Sequence, residues 1–435
     1  MDMLAIILGL VVLMALTLKK VPVIFAGVIS VVVVACFSGM PVVETVTETY
    51  IDGISGYVAR FWWLILFGTI LSQLMDVSGA AHSIAMWIIG KMGVKLAILS
   101  IILAGGLLTY GGVSSVVSSF ALYPITLAVF RKANLPRYLI PATIASGIFT
   151  WSSMLPGTPA DQNIMPTTYL GTTPMAAPII GILAALVTLV LSFWYLNYEA
   201  SKAAKAGIGF VADEAVEAVL AQADELEKKG TLPNPLLAVL PLICVMVLLN
   251  VLMLNIAVAL VAGILLVVIF FHKNIDGLGK NIKEALEVAA VTVMTASAVV
   301  GLGSVIKVAP GFQKIVDFIL NFAQSGGNPL IIFAIATTVL CGLNASGTGG
   351  LTTTLSVLSE PFLAMGVSAP LIHRIGVIAS VGLDTMPHSG GIVTLLSISD
   401  ISYKDGYKHL AVTTIVITLI SLAVSLVLAS ILGPI

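Results

Sequence analysis

Charged residues are scarce in this sequence. Lysine, arginine, aspartate and glutamate make up 9% of its 435 residues, against 59% hydrophobic, whereas a soluble domain carries about a quarter charged residues. So little charge leaves too little polar surface to keep a globule of this size in water, and lipid is the solvent that makes the composition sensible. Cysteine is scarcer still. Cys36, Cys244 and Cys341 lie in separate apolar runs at no ligand-like spacing, so they read as small core residues rather than as disulfide partners or metal ligands. A formal net charge of −1 offers no basic face, and nucleic acid is not expected as a partner. No HExxH pattern is present, and His82, His272 and His409 have no ligand spacing. Neither a metal nor another cofactor is expected, and the chain does not read as an enzyme.

Long apolar runs dominate instead. Leu4–Leu18, Val21–Phe37, Pro235–Leu252, Ala257–Phe271 and Ala411–Leu432 approach or exceed the roughly 20 residues that cross a bilayer. The runs recur to the C-terminus and the first has no basic flank before it, so a signal peptide does not explain them. In lipid only helices or closed barrels satisfy the backbone, and continuous rather than alternating apolar runs select helices. The expectation is an all-α polytopic membrane protein with about 10 to 12 transmembrane helices.

One stretch breaks the pattern. Glu199 to Lys229 holds 11 of the 41 charged residues and meets Pro233 and Pro235, which reads as a solvated linker near the middle of the chain. It divides the sequence into a first membrane unit at 1–196, a charged linker at 197–232 and a second membrane unit at 233–435. The two units share motifs. TYGGVSSVVSSFALYP (Thr109–Pro124) is matched by SGTGGLTTTLSVLSEP (Ser346–Pro361), and TWSSMLPGTPADQN (Thr150–Asn163) by GLDTMPHSGG (Gly382–Gly391). Their common order and spacing point to an internal duplication.

Charge placement sets the orientation of the units. Lys19 and Lys20 after the first span, Arg131, Lys132 and Arg137, and Lys202, Lys205, Lys228 and Lys229 in the linker read as cytoplasmic by the positive-inside rule. The loop with Glu44, Glu48 and Asp52 then lies outside, whereas its counterpart, with Lys273, Lys280 and Lys283, lies inside. The units therefore read as inverted-topology repeats, each with five crossings, a re-entrant hairpin and a broken helix. Arg60 opposes this scheme, since it falls on the outer side. Both termini are expected outside, the linker in the cytoplasm and the protein in the cell inner membrane.

Inverted repeats with interrupted helices at matching positions point to a transporter site near the bilayer midplane. A broken helix exposes N–H groups that attract carboxylates and carbonyls that hold cations. At the two tips, Gly112, Ser114 and Ser115, and Gly349, Gly350, Thr352 and Thr353, glycines permit a tight turn and hydroxyls can cap the next helix. Close helix packing is the plainer reading of the same small residues. At the breaks, Pro156, Pro159 and Pro387 interrupt the helical ladder beside Ser152, Ser153, Gly157, Thr158, Asp161, Thr385, His388 and Ser389. An intramembrane acid is a functional candidate by default. Asp384 is the first choice for the ion-coupling carboxylate, with His388 as a proton-sensitive or substrate-bonding partner and Asp161 as a further ion-coupling residue. Helix capping is the plainer reading of both acids. Lys307 reads as snorkelling, and His373 and Arg374 as interfacial.

These motifs resemble the gluconate permease (GntP) family of secondary carriers, within the wider ion transporter superfamily, over nearly the whole chain. YGGVSS, SSMLPGTPADQN and above all GLDTMPHSGGIVTLL carry the resemblance, and the last looks more like the hydroxybutyrate-permease branch than the sugar-acid members. The resemblance implies proton-coupled uptake of a small hydroxylated or short-chain monocarboxylate by a homodimer, with hairpins and broken helices moving together against a scaffold. With few buried Arg or Lys expected, the substrate carboxylate is assigned to Ser114, Ser115, Thr352, Thr353 and the backbone around Gly157 and Ser389. Sodium coupling, a gluconate or sugar-acid substrate, a channel, and an intramembrane enzyme using Asp384 and His388 are the alternatives.

Overall fold

The structure, a computed structural model, describes residues 2–19, 21–214, 216–221, 232–344, 346–387 and 389–433. Lys20, Lys228, Lys229 and His388 lie outside the described residues. Among the described residues every regular element is a helix.

Before the linker the helices run α1 (Asp2–Leu18), α2 (Val23–Ser38), α3 (Val42–Val77), α4 (Ala80–Met92), α5 (Ala97–Tyr110), α6 (Ser115–Lys132), α7 (140–154), α8 (Asp161–Leu170) and α9 (Pro178–Lys205). After it they run α10 (Pro235–Asn250), α11 (Ile256–Phe271), α12 (Leu278–Val308), α13 (Gly311–Gln324), α14 (Pro329–Asn344), α15 (Gly347–Ala364), α16 (Ala369–Ser380), α17 (Gly390–Ser399) and α18 (Tyr403–Leu432). On each side two apolar helices precede one very long helix. Two further helices, a glycine-rich tip and a proline-containing helix follow, and then a helix interrupted in mid-run.

The boundaries follow from local chemistry. Gly39 ends α2 at φ +68° and Gly171 ends α8 at φ +64°, a left-handed conformation that costs glycine little. Asn234 and Asn255 accept from the backbone N–H groups of Leu236 and Ala257 at 2.9 and 2.8 Å, capping α10 and α11. Among the described residues five helices are long and apolar enough by length and hydropathy to cross a membrane, α3, α9, α11, α12 and α18, or six if the α4–α5 pair, bent by 110°, is one span.

The most extensive packing is between α3 and α12. A Cβ on Gly53 would stand 2.8 Å from the Cα of Gly301, and at the far end Gln73 Nε2 donates to Glu284 Oε2 at 3.3 Å. The pair is therefore antiparallel, and small residues set its close approach, as in other membrane helix pairs. The interrupted helices exchange partners across the chain. The second piece of the first, α8, packs on α15 and α16, and the second piece of the other, α17, packs on α6 and α7. Outside the bundle, the described start of the linker lies along the α6–α7 loop. Arg137 Nη1 donates to Asp213 Oδ2 at 2.7 Å, and the Phe210 N–H donates to Asn134 Oδ1 at 3.0 Å.

Candidate substrate and coupling-ion site

The first break is held open by its own sequence. Leu155 turns extended after α7, Gly157 takes φ +80°, and Pro156 and Pro159 cannot continue the ladder. Buried carbonyls freed in this way need partners, and the fold supplies them. Tyr110 Oη donates to Pro156 O at 3.0 Å, Asn250 Nδ2 to Gly157 O at 2.8 Å and Asn163 Nδ2 to Thr158 O at 2.9 Å.

Arg374, reading as interfacial from the sequence but 0% exposed in the fold, ties the end of α7 to the loop before α9. Its Nη1 donates to Met154 O at 3.2 Å and Asn163 Oδ1 at 3.0 Å, its Nε to Ala176 O at 2.9 Å and an Nη2 proton to Pro174 O at 2.9 Å. The neighbouring His373 is equally buried, with Nδ1 2.7 Å from Thr172 Oγ1 and Nε2 3.2 Å from Asn163 Oδ1. This corrects the interfacial reading of both residues: among the described residues Arg374 is the one arginine or lysine that is buried. The sequence signal was present but ambiguous: one Arg at the start of an apolar segment snorkels or turns inward according to its neighbours, and those are about 200 residues away.

The second break meets the second tip. A Cβ on Gly347 would stand 2.6 Å from Gln162 Nε2, 2.8 Å from Ser380 O and 2.9 Å from Asp384 Oδ2. Gly347 and Gln162 thus join Asp384 at one point drawn from tip, first break and second break. Asp384 is 9% exposed, and its Oδ1 is buried without a hydrogen-bond partner. The carbonyls around it are capped from α18, where Tyr407 Oη donates to Thr385 O at 3.2 Å and Tyr403 Oη to Pro387 O at 2.8 Å.

The other sequence-selected residues divide between this region and plain packing. Thr158 Oγ1 donates to Tyr110 O at 3.2 Å, and Pro159 stands 3.1 Å from where a Cβ of Gly112 would be, so the first tip closes on the first break. Ser152 Oγ is 2.8 Å from Thr109 Oγ1, and Ser115 Oγ donates to Ile148 O at 3.0 Å. Ser153 is buried and Ser114 exposed, the latter donating its N–H to Ser72 Oγ at 2.7 Å. Thr352 and Thr353 return their hydroxyls to the carbonyls of Thr348 and Gly349 at 2.7 and 2.8 Å, and Thr352 also meets Met165 Sδ at 3.0 Å. Thr385 Oγ1 donates to Thr414 Oγ1 at 2.7 Å. Gly350 packs directly on the Cys341 backbone, Gly349 faces Ser346, and the Ser389 N–H donates to Met386 O at 2.8 Å. Asp161 opens α8, and Lys307 pairs with Glu360 at 2.8 Å.

Solved structures share this architecture. The YdaH transporter of Alcanivorax borkumensis superposes with a TM-score of 0.62 over 90% of both chains at 13% identity. MtrF of Neisseria gonorrhoeae, described as illuminating a class of antimetabolite efflux pumps, gives 0.58 over 90% of this chain and 84% of that one at 14% identity. At these identities the likeness defines the fold, an all-helical bundle with helices of membrane-spanning length. Sequence carries the assignment further. The profile of the GntP family permease matches residues 1–254, and an uncharacterized transporter of Bacillus subtilis strain 168, YxjC, is 30% identical over 459 residues, 96% of this chain and 97% of that one. The high-affinity gluconate transporter of Escherichia coli K12 is 26% identical over 150 residues, 34% of this chain and 33% of that one. The chain belongs to the GntP permease family.

Proposed function

We propose that this permease is a proton-coupled symporter of a small organic anion, a hydroxylated or short-chain monocarboxylate such as 3-hydroxybutyrate. The observation that carries the reading is Asp384, buried with Oδ1 unpartnered where the second tip and both breaks converge. An acid left unsatisfied at that depth is costly, and a proton taken up and released during the cycle gives the cost a purpose. The first break, by contrast, has carbonyls occupied by Tyr110, Asn250, Asn163 and Arg374. In this reading the substrate sits among the tips and breaks, bounded by Gly112, Ser114, Ser115, Ser152, Ser153, Gly157, Thr158, Gly349, Gly350, Thr352, Thr353, Thr385, His388 and Ser389, with Asp161 and His388 assisting the coupling.

The units at 1–196 and 233–435 are proposed as inverted repeats joined by a cytoplasmic linker, in a homodimer of the inner membrane with both termini outside. The broken helices and hairpins move as one body against α3 and α12, an elevator-type motion. Two other readings have observations behind them. Ser380 O and Asp384 Oδ2 both border the space beside Gly347, and oxygen ligands suit sodium, while the likeness to a gluconate transporter favours a sugar acid.

Uptake of radiolabelled 3-hydroxybutyrate into proteoliposomes, with an imposed proton gradient and gluconate as competitor, tests the proposal. Gradient-stimulated uptake resistant to gluconate is the expected result, and Asp384→Asn is expected to abolish gradient-driven uptake. Uptake that requires sodium at constant pH assigns the coupling to sodium. Transport of gluconate alone moves the substrate to the sugar acids. Full gradient-driven uptake by Asp384→Asn removes that residue from coupling.

A further inference from the structure

Gln162 is a donor with nothing to donate to. Where a Cβ of Gly347 would stand, Gln162 Nε2 lies 2.6 Å away and Asp384 Oδ2 2.9 Å. The amide and the carboxyl are therefore no farther apart than the sum of those distances, yet no hydrogen bond joins them. Among the described residues the Gln162 side chain makes no hydrogen bond at all, and Asp384 Oδ1 is buried without a partner.

The second tip adds its own donors at the same place. Ser346 accepts the Gly349 N–H through its hydroxyl at 3.1 Å and the Gly350 N–H through its carbonyl at 3.0 Å. The N–H groups of Gly347 and Thr348, the first two residues of α15, have no acceptor within the helix, and the positive end of its dipole lies there. Gln162 and Thr348 are half-buried and Asp384 keeps 9% exposure, so the cluster borders open space. The hydroxyls of Thr352 and Thr353, by contrast, are returned to their own helix.

The protonation state of Asp384 decides whether a second carboxylate can join this cluster. Ionised, Asp384 takes the positive end of α15 for itself and repels another anion. Protonated, it removes that charge and adds an O–H donor. Of the titratable groups on the surrounding elements, Cys341 on α14 stands within electrostatic reach of Asp384. Asp161 on α8 reaches Tyr57, and His373 and Arg374 on α16 bond to the first break. Tyr403 and Tyr407 on α18 donate to the carbonyls of Pro387 and Thr385. Among the described residues none forms an ion pair with Asp384.

We propose that the Gln162 amide, the first N–H groups of α15 and the protonated Asp384 carboxyl together receive the substrate carboxylate, so that the anion binds only to a carrier already bearing its proton. The inference rests on the anion-symport reading above, and adds to it the order of binding and the residue that reads the carboxylate. Gln162 is the fixed donor, carried by the first broken helix, and Asp384 is the conditional one. Each ligand then raises the affinity for the other. Loss of the proton turns a donor into a like charge and expels the anion.

Equilibrium binding of radiolabelled 3-hydroxybutyrate and gluconate to the purified full chain, without a gradient, tests this between about pH 5 and about pH 8. Parent affinity is expected to fall about tenfold per pH unit once Asp384 ionises. In Asp384→Asn, whose amide donates at every pH, affinity should stay flat with pH although gradient-driven uptake is lost. Gln162→Ala should raise Kd and KM about tenfold or more, a larger change than in the maximal rate. Gln162→Glu keeps the shape but adds an acid, so it should bind at about pH 5 and fail at neutral pH more steeply than the parent. That variant gives a reading independent of whether Asp384→Asn folds, and a merely structural role for Gln162 would give a defect indifferent to pH. Parent affinity that ignores pH, binding lost at every pH in Asp384→Asn, or parental Kd in Gln162→Ala would each overturn the proposal. Binding that requires sodium at constant pH would do the same, since a metal cation would then fill the cluster. A parent that neither binds nor transports an organic anion overturns the symport reading and this proposal with it. A transporting parent whose affinity is indifferent to Gln162 overturns this proposal alone.

Discussion

A single missing Cβ separates the tip from the acid at Gly347. The three atoms around that position, Gln162 Nε2, Ser380 O and Asp384 Oδ2, leave no room for a methyl group, whereas a Cβ on Gly349 would meet nothing closer than Ser346 Oγ at 3.4 Å. Gly347→Ala is therefore expected to lose most uptake while Gly349→Ala keeps it, both proteins reaching the membrane in normal amounts. Equal uptake in the two would remove the tip from the site. Arg374 is the opposite case, a side chain that many acceptors require. Without it the buried carbonyls of Met154 and Ala176 lose their side-chain donor, whereas Pro174 O and Asn163 Oδ1 keep other partners, and each unsatisfied buried group costs roughly 1–3 kcal/mol. Arg374→Met should lower the melting temperature of the detergent-solubilised protein by several degrees, on the order of 3 kcal/mol in stability. A variant that melts with the parent would show that the carbonyls find other donors. Asp384 stood out in the sequence because an acid beside proline and glycine in an apolar run is conspicuous. Gly347, one small residue among several in SGTGG, had no such mark.

Among the elements, the breaks behave as their composition dictates: proline and glycine end the helical ladder, and polar side chains gather where the backbone is free. Composition does not say where the second piece of each broken helix goes. Here α8 lies on α15 and α16, and α17 on α6 and α7, an exchange that depends on which apolar faces meet. The linker shows a similar division. Its charge was plain, but its docking rests on Arg137, Asn134 and Arg131, the last paired with Glu217 at 3.6 Å. The side-chain hydrogen bond from Arg137 holds the Asp213 carboxyl below its ordinary value. A depressed carboxyl supports the docked state above its unfolded pKa, about 3.9, and that support is lost as pH falls through the folded value. Hydrogen exchange of the linker's described start is thus expected to be constant from neutral pH down to about 5 and to rise only below about 4. In Asp213→Asn the fast exchange should already be present at neutral pH. A linker that loosens between pH 7 and 5 would assign the docking to other groups.

For the molecule as a whole, the proposed motion divides the helices into those that travel together and those that stay. Thr188 Oγ1 and Ser421 Oγ meet at 2.7 Å between α9 and α18, while the rings of Phe61 and Tyr169 lie 6.3 Å apart between α3 and α8. If the broken helices ride as one body past α3, a disulfide between cysteines at 61 and 169 stops uptake until it is reduced, and one between 188 and 421 does not. Arrest by both cross-links, or by neither, would contradict the elevator division. Lipid as the solvent, helix as the secondary structure and the places where helices break all follow from composition and short motifs, because each is set by residues within about one helix length. The partners of the buried charges do not follow in this way. Arg374 reaches Asn163 across 211 residues, Gln162 reaches the second tip, and Arg60 stands over the Tyr169 ring of α8. Each pairing depends on where two distant apolar faces pack, and the pattern along the chain carries no measure of that distance.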